Sequence, residues 1–284
     1  MKRISEKSSK INPEKRAEMS LHQKKYLNSV LRHQRFVRIM RMVLLCGFLG
    51  IWEIAAARGW IDAFIFSSPM RILRTFFEMA KDGSILEHIG VTLMETLVSF
   101  LLVVLAGLIA SVLLWCSERT SEILEPYLVV LNSLPKSALA PLLIVWLGAN
   151  RSTIIVAGMS VAIFGTILNL YTGFKEVSRE KMKLIYTLGG NKYHVLTKVV
   201  LPSTVPVTIS IMKVNIGLCL VGVVIGEFIG ARSGLGYLII YGSQVFKLDW
   251  VLMSIVILCV IAMGLYALIN GMEKWYLRRR QKGF

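Results

Sequence analysis

The sequence predicts an all-α, polytopic membrane protein with about six transmembrane helices. Composition, apolar runs and charge distribution all support that fold class. Of the 284 residues, 55% are hydrophobic and 18% are charged, whereas soluble domains carry about a quarter charged residues. A soluble protein this apolar would expose large adhesive patches. Burial in a lipid bilayer accounts for the composition more simply.

Six apolar runs are candidates for membrane spans, because about twenty apolar residues cross a bilayer core. The predicted spans cover residues 42–57, 95–115, 124–147, 153–171, 205–229 and 250–269. We expect the second span to extend upstream by a turn or two, and Pro135 and Pro141 interrupt the third. Together the spans define a transmembrane domain over residues 42–270.

The first 41 residues form a basic arm that holds twelve Lys and Arg. The arm is compatible with a disordered chain or with an amphipathic helix on anionic headgroups, and Asn12-Pro13 would suit a helix start. The Ala55-Ala56-Ala57 triplet resembles a signal-peptide cleavage site. The basic stretch is far longer than that of a signal peptide, so we favour an uncleaved first span.

Between the first two spans the sequence predicts a short amphipathic helix over Pro69–Lys81, ended by Gly83. Its apolar residues recur at helical spacing: Ile72, Leu73, Phe76, Phe77 and Ala80.

The loop charges predict the orientation. With the amino terminus inside, the inner segments hold 24 of the 33 Lys and Arg and the outer segments hold seven. The inner segments are residues 1–41, 116–123, 172–204 and 270–284. This asymmetry follows the positive-inside rule and predicts that both termini are cytoplasmic, including a basic tail over residues 271–284.

The chemistry of the sequence excludes several functions. The net charge of +16 could indicate nucleic-acid binding, but the basic residues flank apolar runs, so we predict no nucleic-acid partner. The sequence holds no G-x-x-x-x-G-K-[ST] phosphate loop, no H-E-x-x-H and no G-x-S-x-G. The four His are scattered, and the four Cys lie far apart in or beside apolar runs. We therefore predict no catalytic or metal site and no cofactor bound by this chain.

The polar insertion (residues 173–204) is the most unusual segment, because it separates two predicted spans on the inner side. It shows the pattern of a helix over residues 176–188, a break at Gly189-Gly190, and a second helix over residues 192–200 capped by Asn191. Each helix carries an apolar stripe that a solvated loop would not need. The stripes predict docking against another surface, in this chain or in a partner.

In this insertion the chain resembles permease subunits of bacterial ATP-binding-cassette (ABC) importers, which carry a cytoplasmic loop of the pattern E-A-A-x3-G-x9-I-x-L-P. Gly189, nine residues and then Val199-Val200-Leu201-Pro202 fit its second part. Lys183-Leu184-Ile185 stand where the family has Glu-Ala-Ala, so a base replaces the acid. Residues 134–148 and 226–239 are similar to the nitrate, sulfonate and taurine permease subfamily, which includes importers of thiamine-precursor pyrimidines.

The resemblance implies the partners. Two permease subunits, as a homodimer, would form the pore, two cytoplasmic ATPase subunits would hold the ATP and bind the polar insertion, and an extracytoplasmic binding protein would deliver a small solute. A stiff two-helix loop can transmit an ATPase motion; Gly189 would permit its sharp turn and Pro202 would stop its second helix. The coupling residues are expected to be Glu180, Lys183, Leu184, Ile185, Gly189, Gly190, Val199, Leu201 and Pro202.

Ionisable residues within spans are costly and often functional. Lys136, beside the Pro135 break, and Glu227 either face the pore or serve as interface or structural residues. Glu95 lies nearer an interface, as does Glu53.

Small residues suit close helix packing. Gly222, Gly226 and Gly230 share one helix face, which fits either packing within the subunit or the seam between two subunits. The candidate pathway residues are Pro135, Lys136, Gly222, Gly226 and Glu227.

Two other functions compete with the importer permease. A self-sufficient secondary transporter or channel usually shows coupling residues deep in its spans and internal repeats, and no convincing repeat is present. A membrane-embedded enzyme would need clustered His, Asp or Ser. The substrate stays open among a sulfonate, nitrate, taurine or a thiamine-precursor-like compound.

Overall fold

The computed structural model describes residues 21–282, and within this range the chain consists of α-helices and one π-helical turn. The helices are α1 (Leu21–Ala57), α2 (Ala63–Phe66), α3 (Pro69–Lys81), α4 (Ser84–Cys116), α5 (Glu118–Ser133), α6 (Lys136–Leu147), α7 (Arg151–Lys175), α8 (Arg179–Thr187), α9 (Lys192–Val195), α10 (Leu201–Gly230), α11 (Leu235–Gln244) and α12 (Leu248–Lys282), with the π turn Leu196–Val200 before α10. Among the described residues, five helical stretches are long and apolar enough to cross a membrane, and six result if the bent pair α5 and α6 forms one span. The predicted all-α, polytopic fold is confirmed.

The chain divides at Met70 into two compact units. In the first unit, α1 joins the end of the basic arm to the first apolar run without a break. The Glu53 carboxylate accepts hydrogen bonds from Met70 N at 3.0 Å and from Ser68 Oγ at 3.2 Å. This residue therefore fixes the chain that leads into α3. The helix start expected at Asn12-Pro13 lies outside the described residues.

The short helix α3 has the predicted bounds, Pro69–Lys81. Gly83 follows it with a φ of +78°, a left-handed conformation that glycine adopts without steric cost. Ile72 and Met79 are buried, whereas Leu73 and Phe77 are exposed.

The core of the second unit is the close packing of α4, α7 and α10 through small residues. A Cβ on Gly158 of α7 would lie 2.6 Å from Ser99 Oγ of α4 and 2.8 Å from Val223 Cγ2 of α10. A Cβ on Gly107 of α4 would lie 2.7 Å from Thr166 Cγ2 of α7. Small residues at these positions let the helix backbones approach closely, as membrane helices require.

Two serines show that α4 and α7 run in parallel. Ser99 Oγ lies 3.0 Å from the carbonyl of Ile155, and Ser111 Oγ lies 3.0 Å from the carbonyl of Ile167. Both partners advance by the same twelve residues, about 18 Å of helix. The end of α4 and the start of α7 therefore lie at opposite ends of the bundle, and α5 and α6 together must carry the chain back across it.

The third predicted span, residues 124–147, is interrupted at Pro135 as expected and is not interrupted at Pro141. It forms α5 and α6, which meet at an angle of 95°. Leu134 and Pro135 are both extended, and α6 begins at Lys136, because a proline disfavours helical geometry at the residue before it. Pro141 lies inside α6 without ending it.

The expectation that Pro202 stops the second helix of the polar insertion was wrong. The π turn follows α9 directly, and Leu201 N donates to the carbonyl of Leu196 as α10 begins. Pro202 lies in the first turn of α10. The wider π turn absorbs the proline, so α9, the π turn and α10 form one continuous helical stretch from Lys192 to Gly230.

Helix α11 lies in a stretch that we expected to be an outer loop. Leu235 and Leu238 are fully or almost fully buried, and this tertiary packing stabilises the helix. At the other end, the basic tail continues α12 as helix to Lys282.

Candidate functional site

The break in the polar insertion is a Schellman turn at the end of α8. Gly190 N donates to the Ile185 carbonyl at 2.8 Å, and Gly189 N donates to the Tyr186 carbonyl at 3.0 Å. Gly189 has a φ of +77°, and a Cβ on Gly190 would lie 2.8 Å from the Ile185 carbonyl oxygen. The first glycine therefore supplies the left-handed conformation and the second permits the close approach.

Asn191 caps the next helix as predicted. Its Oδ1 accepts from His194 N at 3.1 Å, and its own N–H donates to His194 Nδ1 at 3.3 Å. This reciprocal pair is a capping box. Lys192 Nζ donates to the Cys116 carbonyl at 2.8 Å, which ties the start of α9 to the end of α4.

One face of the polar insertion packs inside the chain. Phe174, Val177, Val195, Leu196 and Val200 form a buried cluster. Met182, Ile185, Val199 and Leu201 pack against it, as do three residues of α4: Leu108, Val112 and Trp115. The insertion is therefore a packed element of the second unit.

The other face of the insertion is exposed and apolar. Leu184 is 58% exposed, Leu188 75% and Tyr193 68%. Glu180 and Lys183 are exposed beside them. We name Leu184, Leu188 and Tyr193 the exposed face.

The predicted coupling residues thus fall into separate places. Leu184 lies on the exposed face, and Ile185, Val199 and Leu201 pack inward. Gly189 and Gly190 form the turn. Pro202 borders a shallow cleft with three residues of α12: Trp275, Tyr276 and Arg279.

The candidate pathway residues do not form one site. Lys136 Nζ donates to Asn132 Oδ1 at 3.3 Å, so a side chain one turn earlier satisfies it. Pro135 is exposed at the bend. Lys213 of α10 forms an ion pair with Glu273 of α12.

The glycine face of α10 packs within the chain. A Cβ on Gly222 would lie 2.9 Å from Gly158 Cα and 3.0 Å from the Ala157 carbonyl oxygen, and one on Gly226 would lie 3.3 Å from Ile154 Cα. A Cβ on Gly230 would lie 2.9 Å from Ile144 Cδ1 of α6. Of the two interpretations that the sequence left open, packing within the subunit describes these glycines.

Glu227 is 1% exposed, so its side chain lies inside the subunit and does not line an open surface. Its Oε1 accepts from Thr92 Oγ1 at 2.7 Å and its Oε2 accepts from Gly236 N at 2.6 Å. Glu95, which we expected near an interface, is also 1% exposed. Sequence reasoning missed this cluster because Thr92 and Glu227 are 135 residues apart and share no local motif.

Within the described residues, no group of three or more His, Cys, Asp or Glu side chains could hold a metal ion.

Comparisons with known proteins give the family. Residues 103–282 match the family described as binding-protein-dependent transport system inner membrane component. The chain is 31% identical over 244 residues to a probable ABC transporter permease protein of Haemophilus influenzae, covering 86% of this chain and 97% of the relative. It is 26% identical over 247 residues to a putative aliphatic sulfonates transport permease of Bacillus subtilis, covering 87% and 90%.

Other relatives agree with these. The chain is 28% identical over 232 residues to a formylaminopyrimidine transport permease of Halalkalibacterium halodurans, covering 82% of this chain and 92% of the relative. Its fold is similar to that of a subunit in the inward-facing MetNI methionine ABC transporter, with a TM-score of 0.61 and 18% identity over 67% of this chain and 94% of that chain. The chain therefore belongs to the binding-protein-dependent transport system inner membrane components, the non-enzymatic permease subunits of ABC importers.

Proposed function

We propose that the polar insertion couples this permease to a separate cytoplasmic ATPase, and that the ATPase binds the exposed face. The observation that carries the proposal is the division of the insertion into two faces. Ile185 packs inward, whereas neighbouring Leu184 is 58% exposed. An apolar face on a polar, membrane-adjacent segment is the kind of surface that marks a protein contact.

The packing of the inward face would allow the polar insertion to transmit a mechanical force from the ATPase to the membrane helices. The buried cluster joins α8 to α4 and to the start of α10. The bond from Lys192 to the Cys116 carbonyl adds a polar tie at the same place. A force on Leu184 or Leu188 would therefore reach two membrane helices through packed contacts.

The proposal extends to the subunits of the complete transporter. A second copy of the chain forms the other half of the pore, two ATPase subunits hold the ATP, and an extracytoplasmic binding protein delivers the solute. Both chain termini face the cytoplasm. The substrate is a small solute of the kind that the relatives' names give, an aliphatic sulfonate or a formylaminopyrimidine, with taurine, nitrate and other thiamine-precursor-like compounds as further candidates.

Reconstitution tests this function. The permease is combined in liposomes with a candidate ATPase subunit and a candidate binding protein of the same organism, and ATP-dependent uptake is measured for taurine, an alkanesulfonate, nitrate and a formylaminopyrimidine. We expect uptake of one compound class that requires all three components. Uptake by the permease alone would instead support a self-sufficient transporter.

A pair of variants separates docking from folding. Leu184→Asp places a charge on the exposed face and should abolish ATPase binding while the protein stays folded. Arg179→Asp changes an exposed charge on the same helix, about 140° around the helix axis from Leu184, and serves as the control. Equal ATPase binding by both variants would contradict the assignment of the exposed face.

A further inference from the structure

The buried carboxyl groups of Glu95 and Glu227 have no part in the coupling described above. Glu95 lies on α4 and Glu227 on α10, and both are 1% exposed. Thr92, which lies one turn before Glu95 on α4, donates to Glu227 at 2.7 Å, and the two carboxyl groups meet at this contact. Two carboxylates in contact within a low-dielectric interior cannot both be ionised without a compensating charge. A proton or a cation must therefore neutralise one of the two carboxylates.

The hydrogen bonds identify which carboxyl is the anion. Both oxygens of Glu227 accept, from the Thr92 hydroxyl and from the Gly236 amide. Acceptance at both oxygens suits a carboxylate. By contrast, no donor among the described residues reaches either oxygen of Glu95, so Glu227 is the partner to which a protonated Glu95 would donate.

The charged groups around Glu95 and Glu227 supply little positive charge that could neutralise a second carboxylate. On α7, Arg151 acts on Glu95 but is exposed. On α4, His88 accepts from Gly234 N at 3.0 Å, and Glu87 is exposed and acts on that histidine.

Two further elements approach the pair. Arg232, in the turn before α11, is exposed. Helix α11 presents Tyr237, which stacks on His88. Among the residues that the structure describes, the cations named here, Arg151 and Arg232, are exposed, so neither is a buried cation against the carboxyl pair.

The turn over residues 231–236 is built around the Glu227 carboxylate. A Cβ on Gly236 would lie 2.7 Å from Glu227 Oε2. Thr92 Oγ1 accepts from Leu235 N at 2.8 Å while it donates to Glu227. The anion therefore fixes the start of α11 against α4.

We propose that Glu95 and Glu227 hold one proton between them, with Glu95 as the donor and Glu227 as the anion that positions residues 231–236. Glu95 and Glu227 are positioning residues that set the geometry where α4, α10 and α11 meet. Loss of the proton would put two negative charges in contact and would loosen α11. Because the folded chain then holds a proton that a glutamic acid in the unfolded chain releases at about pH 4, stability should fall as the pH rises above that value.

The test uses the full chain in lipid nanodiscs and does not measure transport, so its failure would leave the proposed ATPase coupling standing. Infrared spectroscopy should show a protonated-carboxyl carbonyl band at pH 8 in the wild type. Glu95→Gln keeps a donor of the same shape, so the band should disappear while the melting temperature at pH 7 stays near that of the wild type. The fall in melting temperature with rising pH should also disappear in Glu95→Gln.

Two further variants complete the test. Glu227→Gln puts an amide NH₂ donor where one carboxylate oxygen now accepts from Thr92 Oγ1 or Gly236 N. Because two donors would then face each other, we expect the folded fraction after a heat step to fall roughly tenfold. Glu87→Gln, an exposed change on the same helix, should keep both the band and the pH dependence. Absence of the band in the wild type, or its persistence in Glu95→Gln, would overturn the proposal. So would a rise in wild-type melting temperature with Na⁺ or Ca²⁺ that Glu95→Gln lacks, since a cation would then take the place of the proton.

Discussion

Replacement of Gly189 tests whether the shape of the turn in the polar insertion matters for transport. Gly189 has a φ of +77° and a Cβ added there would meet nothing within 4 Å, so Ala would introduce backbone strain without a clash. A left-handed residue with a side chain costs roughly 1–2 kcal/mol. That cost lowers the population of the formed turn by a factor of about 5–30 relative to other conformations. Asn adopts the left-handed conformation more readily than Ala, so Gly189→Asn is the matched control.

The assay is ATP-driven uptake by the reconstituted transporter, measured together with ATP hydrolysis. We expect Gly189→Ala to transport less solute per ATP hydrolysed, and Gly189→Asn to retain most of the wild-type ratio. The melting temperature of the permease should change little in either variant, since the strain is local. Equal ratios for Ala, Asn and wild type would refute the reasoning that a fixed turn transmits the ATPase motion.

Three further predictions concern helix packing, helix capping and the Lys136 side chain. Gly222→Ala should destabilise the chain by about 1–3 kcal/mol through overpacking, whereas Gly217→Ala on the same helix meets nothing within 4 Å and should be neutral in thermal unfolding; a reversed order would contradict the packing. Asn191→Ala removes a capping side chain and should cost about 1 kcal/mol of helix stability, visible as faster amide exchange at the start of α9; Ser178→Ala, where no side-chain cap bond exists, should show no such change. Lys136→Met should leave uptake unchanged, because this side chain is satisfied within its own span, and a large loss of uptake would place the residue on the pathway.

Local sequence signals predicted the elements that depend on local chemistry. The bounds of α3 follow from its apolar spacing, and the start of α9 follows from the capping side chain of Asn191. The glycine turn also follows from sequence, because only glycine accepts a positive φ at low cost. In each of these the deciding atoms lie within a few residues of one another.

The features that sequence reasoning missed depend on contacts between distant residues. The start of helix α11 is held by the bonds of Gly236 to Glu227 and of Leu235 to Thr92, and both partners lie on other helices. The path of the chain past Pro202 depends on the π turn before it, and no residue type marks such a turn. The pairing of Glu95 with Glu227 joins two spans that are far apart in sequence.

Site-directed labelling tests the central claim, that the exposed face meets an ATPase beneath the membrane. Leu188→Cys is introduced into a chain whose four native cysteines are replaced by alanine, and a membrane-impermeant thiol reagent is added to right-side-out or inside-out vesicles. The account predicts labelling in inside-out vesicles alone, and loss of that labelling when the ATPase subunit is bound. Labelling in right-side-out vesicles, or labelling that the ATPase does not change, would contradict it.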